Sequence, residues 1–374
     1  MEFIPVALPA LAGNEKRYVN ECLDSTWISS SGEFIDRFEG RFAEFCGTEH
    51  ALTCSNGTVA LHLALLALGI GPGDEVLVPS LTYVATANAV RYCGADPVFV
   101  DSDRATWSLD PTDLRRKVTD RTRAIVAVHL YGRPAPMSEI MALARERGLR
   151  VVEDAAEAHG ALSGGQPVGS IGDLGTFSFY GNKIITCGEG GMVVTRDAGL
   201  AERVRLLRGQ GQDPTRRYWF TEVGYNYRMT NLQAAIGLAQ LENVESFLAA
   251  RDEIARWYDE ELGGLPGVQT ALRTPGDRTV CWLYSVILSG PAGTARDDLL
   301  TKLRQAGIDT RPFFHPLHVL PPYRDRCRSA EYPNAEWLGA RGFNLPAWVG
   351  MSREHVRRVA ATLREVLPAA VAAR

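Results

Sequence analysis

The segment SFYGNKIITCGEGG, residues 178–191, places Lys183 in a turn between two apolar stretches. Residues 176–179 predict a short buried strand and residues 192–195 a second one, with no helix between them. A lysine held between buried strands is partly desolvated, which lowers the pKa of its amine and makes it a better nucleophile at neutral pH. Such a lysine suits Schiff-base chemistry. Taken alone, the segment equally allows an ordinary turn lysine near a sheet edge.

A second feature favours the chemical interpretation. Residues 150–154, RVVED, predict a strand that ends on acids, and Asp154 lies 29 positions before Lys183 (183 − 154). In open α/β sheets, ligands bind at the carboxyl ends of strands. A Schiff-base lysine with an aspartate facing a pyridinium nitrogen is how proteins hold pyridoxal 5'-phosphate (PLP). The two residues together predict a PLP site.

A third feature predicts an anion site. A short strand over residues 51–55 is followed by Asn56, Gly57 and Thr58, and then by an apolar helix over residues 59–68. Backbone N–H groups at a helix N-terminus bind phosphate, and the helix dipole favours the negative charge. The same residues could instead form a simple helix cap. Both interpretations can hold at once.

Strands and helices alternate between residues 75 and 154, which predicts a mostly parallel sheet with helices on both faces. The strand pair around Lys183 adds one antiparallel strand and makes the sheet mixed. Tyr83 follows the second strand, where its ring can lie on a flat cofactor, although a lone aromatic residue is often part of the core. Residues 8–22 predict an amphipathic helix.

The pattern changes near residue 250. This change predicts a large domain over residues 1–250 and a smaller α+β domain over residues 251–374, onto which the N-terminal residues can pack. In the smaller domain we expect a strand over residues 281–288, a helix over residues 295–306 and a final helix over residues 352–373.

Composition excludes several classes of protein. The 374 residues are 45% hydrophobic and 22% charged with a net charge of −4, which suits a soluble globular protein and gives no footprint for nucleic acid or an anionic membrane. The seven cysteines are widely spaced without a C-x-x-C pair, which argues against disulfides and zinc and fits a reducing cytoplasm. Neither a signal peptide nor a membrane span is expected. Phosphate-loop, zinc-protease and serine-hydrolase motifs are missing.

The chain resembles the DegT/StrS-type sugar aminotransferases, which are PLP enzymes of fold type I. The resemblance covers nearly the full length, and its most specific motifs are EDAA (153–156), SF with NK (178–183) and GEGG (188–191). It implies that Lys183 binds PLP as a Schiff base and moves a proton, and that Asp154 keeps the ring nitrogen protonated. It implies further cofactor contacts: stacking by Tyr83, phosphate binding by Gly57, Thr58 and Ser178, and Asn226 reaching in from the second subunit of a homodimer.

The resemblance also implies substrates, namely L-glutamate as donor and a nucleotide-linked keto-6-deoxysugar as acceptor. The segments WISS (27–30), RGQG (208–211) and RYWF (217–220) favour GDP-4-keto-6-deoxymannose. Amination at C3 of a related sugar, or of a cyclitol ketone, stays open. A PLP-dependent dehydratase is less expected because a histidine replaces the lysine there, and a non-catalytic sensor is also less expected. Candidate substrate contacts are Trp27, Ser29, His159, Arg311, His315 and His318.

One departure from the family pattern concerns Glu157. Many members carry Gln at this position, where the side chain faces the phenolic oxygen of the cofactor. A carboxylate would repel a phenolate, so we expect Glu157 to be protonated or to share its proton.

Overall fold

The first part of the chain, up to residue 262, contains nine strands among its described residues. The structure, a computed structural model, describes residues 2–270, 272, 274–289, 296–326 and 329–367. β6 and β7 form a two-stranded sheet, and the other seven form one sheet in the order β1-β9-β8-β5-β4-β2-β3. The strands are β1 (His50–Cys54), β2 (Glu75–Pro79), β3 (Asp96–Val100), β4 (Thr122–Val128), β5 (Arg150–Asp154), β6 (Leu162–Ser163), β7 (Gln166–Pro167), β8 (Leu174–Ser178) and β9 (Gly191–Thr195).

Within this sheet, β9 alone runs against its neighbours. It is antiparallel to both β1 and β8, whereas the remaining pairs are parallel. Consequently β1, β2, β4, β5 and β8 all end at the same edge of the sheet, where open α/β sheets bind ligands. The predicted mixed sheet is confirmed, and Lys183 lies between the two strands of its antiparallel pair, β8 and β9.

Helices cover both faces of this sheet, as the alternating pattern predicts. One face carries a core that includes Leu63, Val193 and Leu238, and the other a smaller core around Leu77, Ile140 and Leu143. The helices are α1 (Glu15–Ser25), α2 (Glu33–Cys46), α3 (Gly57–Ala67), α4 (Ala85–Tyr92), α5 (Pro111–Arg116), α6 (Met137–Arg147), α7 (Ala198–Arg208), α8 (Asn231–Leu241) and α9 (Val244–Leu262).

The first helix begins later than the pattern over residues 8–22 predicts. It starts at Glu15, whose carboxylate accepts the N–H of Gly13 at 2.8 Å. The preceding residues are held on α8 instead, because the Gln240 side chain donates to the carbonyl of Ala10 at 2.6 Å. A tertiary contact thus replaces the predicted helical turns.

The C-terminal part has its own antiparallel sheet, in the order β10-β11-β13-β12. Its core includes Tyr258, Val286 and Phe343, and Ile4 from the N-terminus packs into it. Three parts of the sequence-based predictions lie outside the described residues: residue 295 of the helix predicted over 295–306, the cysteine at position 327, and residues 368–373 of the predicted final helix. The elements are β10 (Val268–Gln269), β11 (Tyr284–Leu288), α10 (Arg296–Gln305), β12 (Arg311–Pro312), α11 (Pro333–Arg341), β13 (Gly342–Leu345) and α12 (Arg353–Val366).

Helix α9 connects the two cores. Phe247 belongs to the core of the large sheet and Tyr258 to that of the small one. Between them the buried guanidinium of Arg251 donates to the carbonyls of Cys281 at 3.2 Å, Trp282 at 2.8 Å and Ala347 at 3.1 Å. Burial lowers the pKa of Arg251 to about 10. The first two bonds fix the chain just before β11 against α9, and the third does the same for the chain just after β13.

Among the described residues, no helix is long and apolar enough to cross a membrane, and no group of His, Cys, Asp and Glu side chains could hold a metal ion.

Candidate active site

A cavity of about 740 Å³ lies at the carboxyl edge of the large sheet. Segments that follow β1, β2, β4, β5 and β8 line it, and the C-terminal part covers one side. The lining residues used below are Gly57, Thr58, Tyr83, His129, Asp154, Glu157, Ser178, Asn182, Lys183, Trp282, Arg311 and Phe314.

Lys183 stands in a closed turn between β8 and β9. Its N–H donates to the carbonyl of Tyr180 at 2.9 Å, and the N–H of Phe179 donates to Gly190 at 2.8 Å to close the turn. Gly191 begins β9, where an added Cβ would lie only 2.3 Å from the carbonyl oxygen of Asn56. Gly191 therefore allows the end of the turn to pack against the segment that starts α3.

The amine of Lys183 is largely buried, with 11% of its side chain exposed. Nζ lies 3.6 Å from Oε1 of Glu157 and 4.2 Å from the ring centroid of Trp282. Burial lowers the pKa of the amine, and the carboxyl groups of Glu157 and Asp154 oppose this shift. The environment expected from the sequence is therefore present.

Asp154 ends β5 and is buried at the cavity wall. Oδ2 accepts the hydroxyl of Thr86 at 2.9 Å, and Oδ1 accepts the N–H of Ala156 at 3.3 Å. Burial raises the pKa of Asp154, whereas the bond from Thr86 opposes the shift. A cation placed against this carboxyl group would favour its ionised form. Asp154 is thus suited to a pyridinium N–H.

The hydroxyl of Thr86 can be tested with a matched pair of variants. We expect Thr86→Val to lower kcat/KM of amino transfer about tenfold, because Asp154 loses a donor to its charged form. Thr86→Ser keeps the hydroxyl and should stay close to wild type. Steady-state kinetics with both variants checks this; equal rates for Val and Ser would contradict it.

Glu157 is held by backbone rather than by a side chain. Its Oε2 accepts the N–H of Tyr131 at 2.8 Å. Tyr131 has a φ of 54°, a left-handed conformation that costs a non-glycine residue about 1–2 kcal/mol. Burial raises the pKa of Glu157, and Lys183 and the Tyr131 N–H oppose the shift.

The raised pKa of Glu157 gives a pH dependence with a defined sign. An acid whose pKa is higher in the folded state stabilises the fold fully below its unfolded pKa, about 4.3 for Glu, and this contribution is lost as the pH rises through the folded pKa. Gln cannot ionise. In the PLP-free protein, the free energy of unfolding of Glu157→Gln should therefore gain on that of wild type as the pH rises from about 4.3 through the folded pKa of Glu157. Urea unfolding at several pH values measures the difference; a difference that falls with pH would refute the assignment.

The remaining lining residues fit a phosphate and a flat ring. α3 begins at Gly57, and the first N–H groups of a helix lack intrahelical partners. An added Cβ at Gly57 would lie 2.8 Å from Cβ of Ser178, so the glycine keeps this cradle open. Tyr83, 56% exposed, stands beside Phe314 at 5.5 Å between ring centroids. The donor set therefore fits PLP.

The structure brings most of the predicted residues to one cavity: Gly57, Thr58, Tyr83, Asp154, Glu157, Ser178, Lys183 and Arg311. Four others are exposed and lie outside its lining within this chain, namely Trp27, Ser29, Asn226 and His315.

Two predicted substrate contacts are wrong for this cavity. His159 is fully buried among the rings of Phe42, Phe177 and Phe179, and burial lowers its pKa to about 3. His318 is also buried, with its ring nitrogens 2.6 Å from the hydroxyl of Ser80 and 3.0 Å from Glu336. Both histidines therefore serve packing or internal hydrogen bonding.

Sequence reasoning missed four residues at this site. Thr86, His129 and Tyr131 follow strand ends, so the rule that found Asp154 could have found them too. His129 accepts the N–H of Ala135 through Nδ1, which leaves its Nε2 proton for Glu153 at 3.0 Å. No local sequence pattern of this kind marks Trp282, which lies before a strand and not after one.

A buried lysine, an aspartate at a strand end and a helix N-terminus around one cavity define the class of PLP-dependent enzymes with this α/β fold. The sequence model of the DegT/DnrJ/EryC1/StrS aminotransferase family matches residues 9–364, and the chain belongs to this family.

Known proteins are similar over nearly the whole chain. A GDP-perosamine synthase of Caulobacter vibrioides is 54% identical, covering 97% of this chain and 98% of the relative. A GDP-perosamine synthase of Escherichia coli O157:H7 is 49% identical, covering 98% and 99%. The PLP form of a putative sugar aminotransferase from Streptococcus pneumoniae superposes with a TM-score of 0.92 at 28% identity, covering 97% and 98%. The chain is a PLP-dependent sugar aminotransferase, as the resemblance implied.

Proposed function

We propose that this enzyme transfers the amino group of L-glutamate to C4 of GDP-4-keto-6-deoxymannose and so forms GDP-perosamine. The observation that carries the transfer chemistry is the Lys183 amine, held in one cavity with the carboxyl groups of Asp154 and Glu157. The identities of 54% and 49% with two GDP-perosamine synthases support the sugar nucleotide.

In this proposal the chain's residues divide the work of holding PLP. Gly57, Thr58 and Ser178 hold the phosphate, Tyr83 covers the ring, and the carboxylate of Asp154 faces the ring nitrogen. When bound, PLP supplies a conjugated ring that accepts electron density from the substrate carbon. Thr86 and the N–H of Ala156 keep the Asp154 carboxyl group oriented for this contact.

Lys183 moves the proton. Because burial lowers the pKa of its amine, more of the amine is neutral than in an exposed lysine, and the neutral amine can take a proton at Nζ from the substrate carbon. The same amine would then deliver the proton to a carbon of the cofactor. The closed turn fixes the origin of the side chain during both movements.

Glu157 holds a proton at the phenolic side of the ring. The Tyr131 N–H occupies Oε2, so Oε1 is the oxygen on the side of Lys183. Burial raises the pKa of the Glu157 carboxyl group, so it keeps its proton to a higher pH than an ordinary glutamate does.

Arg311 recognises an anionic part of the substrates. It is the arginine among the residues lining the cavity within the described chain. A guanidinium binds carboxylate and phosphate with two parallel hydrogen bonds, which suits both L-glutamate and a sugar nucleotide. The two substrates react in separate halves of the cycle, so one cation can serve both.

A homodimer completes the site in this proposal. Asn226 follows an exposed aromatic segment that includes Tyr218, Trp219 and Phe220, and it lies outside the cavity of its own chain. If Asn226 reaches the cavity of a second copy, inactive Lys183→Ala and weakened Asn226→Asp chains should complement each other. An equal mixture should regain about a quarter of wild-type activity, since half of the dimers are mixed and each has one intact site. Absence of recovery would refute a shared site.

The transfer itself is tested by absorbance. PLP-loaded enzyme should lose its PLP absorbance band when L-glutamate is added and regain it when GDP-4-keto-6-deoxymannose follows. An unchanged band with glutamate would exclude this donor. Recovery only with a 3-keto sugar or a cyclitol ketone would replace the acceptor and leave amino transfer in place.

A cytoplasmic location belongs to the same proposal. The described cysteines at positions 22, 46, 54, 93 and 187 are free thiols, as a reducing compartment would leave them.

A further inference from the structure

Trp282 enters the cavity from the C-terminal part of the chain. It is buried, at 3% exposure, in the segment just before β11. The centre of its ring lies 4.2 Å from Nζ of Lys183. A cation at this distance from an indole face is attracted by the negative face of the ring, and Trp is the strongest of the aromatic residues in this respect.

The indole also holds the lysine turn. Its Nε1–H donates at 2.7 Å to the carbonyl of Asn182, the residue immediately before Lys183. The other fixed points of Trp282 are its backbone carbonyl, which accepts from Arg251 at 2.8 Å, and the parallel ring of Tyr131 at 6.3 Å. One residue therefore connects α9, the lysine turn and the strained residue that anchors Glu157.

We propose that Trp282 is a positioning residue for Lys183. Its N–H fixes the turn that carries the lysine, and its ring face stabilises the ammonium that Lys183 becomes when Nζ takes up a proton. The inference rests on the proposed role of Lys183 as the group that moves the proton.

The other charges around Nζ explain why a neutral ring is useful there. Glu157 and Asp154 favour the ammonium, Arg311 opposes it, and burial opposes it most. Glu157 is itself buried with a raised pKa, so it attracts the ammonium only while it is ionised. The attraction of the indole face does not depend on any titration, and it stays available when Glu157 holds its proton.

The test measures the Lys183 amine directly in PLP-free protein. The chain has only four lysines, Lys16, Lys117, Lys183 and Lys302, so each can be followed separately. Competitive acetylation with acetic anhydride across a pH series, quantified by peptide mass spectrometry, gives the apparent pKa of each amine. Lys16 and Lys302 are exposed and serve as internal references.

Trp282→Phe keeps a ring but weakens its attraction for a cation and removes the N–H. We expect the pKa of Lys183 to fall by about half to one unit, with the references unchanged. Trp348→Phe is the matched control, since it loses the same kind of bond, from an indole N–H to the carbonyl of Pro5 at 3.1 Å, away from the cavity. An unchanged or raised pKa in Trp282→Phe, or an equal fall in Trp348→Phe, overturns the proposal.

Two further measurements keep the outcomes separate. Trp282→Tyr retains more of the ring's attraction for a cation and should lower the pKa of Lys183 less than Trp282→Phe does. If Trp282→Phe does not fold, Trp282→Tyr takes its place as the test. An unchanged pKa of Lys183 in Trp282→Tyr then overturns the proposal. Glutamate-dependent loss of the PLP band in Lys183→Ala would refute the proposed role of Lys183, and an unchanged band in wild type would refute the proposed function, whatever the acetylation shows. If wild type loses its PLP band with glutamate but the Lys183 acetylation curves of wild type and Trp282→Phe superimpose, only the role of Trp282 is refuted.

Discussion

Replacing Lys183 by alanine should abolish amino transfer. We expect kcat/KM with L-glutamate to fall at least about 10⁴-fold, because the variant loses both the covalent anchor for PLP and the amine that moves the proton. No other lysine lines the cavity among the described residues, so no neighbouring amine can take over. The measurement is steady-state transfer together with the absorbance change on adding glutamate.

The control for this variant is Lys302→Ala. Lys302 lies exposed on α10 and has no part in the cavity, so its loss should leave the rate at the wild-type level. Circular dichroism should show both variants folded, since the Lys183 side chain occupies a cavity wall and not the core. A Lys183→Ala rate within about tenfold of wild type would exclude Lys183 as the reacting amine.

Replacing Asp154 by asparagine should have the next largest effect, a fall of about 10²–10³-fold in kcat/KM. The amide is nearly isosteric and its oxygen can still accept the hydroxyl of Thr86, so β5 and the cavity should keep their shape. What is lost is the negative charge that keeps the PLP ring nitrogen protonated, and with it the ring's capacity to accept electrons. Steady-state kinetics at saturating PLP separates this effect from weaker cofactor binding.

Asp173→Asn is the matched control for Asp154→Asn. Asp173 lies at the opposite edge of the same strands, where it accepts the N–H of Val151 at 2.7 Å and pairs with Arg150. Its replacement should cost stability without a comparable loss of rate. Similar losses of activity in both variants would mean that Asp154 acts on the sheet and not on the cofactor.

Both effects depend on one property of the fold, the edge of the large sheet at which β1, β2, β4, β5 and β8 end. β9 alone is reversed, so the turn between β8 and β9 presents Lys183 at the same edge as Asp154 and the start of α3. A parallel strand in place of β9 would need a long crossover connection, and the short lysine turn could not form.

The sequence by itself determined the fold class and the dependence on PLP, and it predicts the central pair of the site, Lys183 and Asp154. Alternating strand and helix patterns are local, and between residues 75 and 154 they predicted the mostly parallel sheet with helices on both faces. Asp154 ends a strand, and Gly57 and Lys183 come within five residues of the end of one, so the rule that parallel strands end at one edge was enough to bring them together. The exposed position of Asn226 fits a shared site but leaves that prediction open.

Only the tertiary structure decided which remaining polar residues face the cavity. His159 and His318 were predicted to contact the substrate. Instead, His159 packs among aromatic rings, and His318 lies within hydrogen-bonding distance of Ser80 and Glu336. Trp282 reaches Asn182 across 100 positions of sequence, and its place depends on Arg251 in a helix that joins two cores. Periodicity reports which face of an element is buried, whereas the neighbour of a buried side chain depends on how separate elements pack.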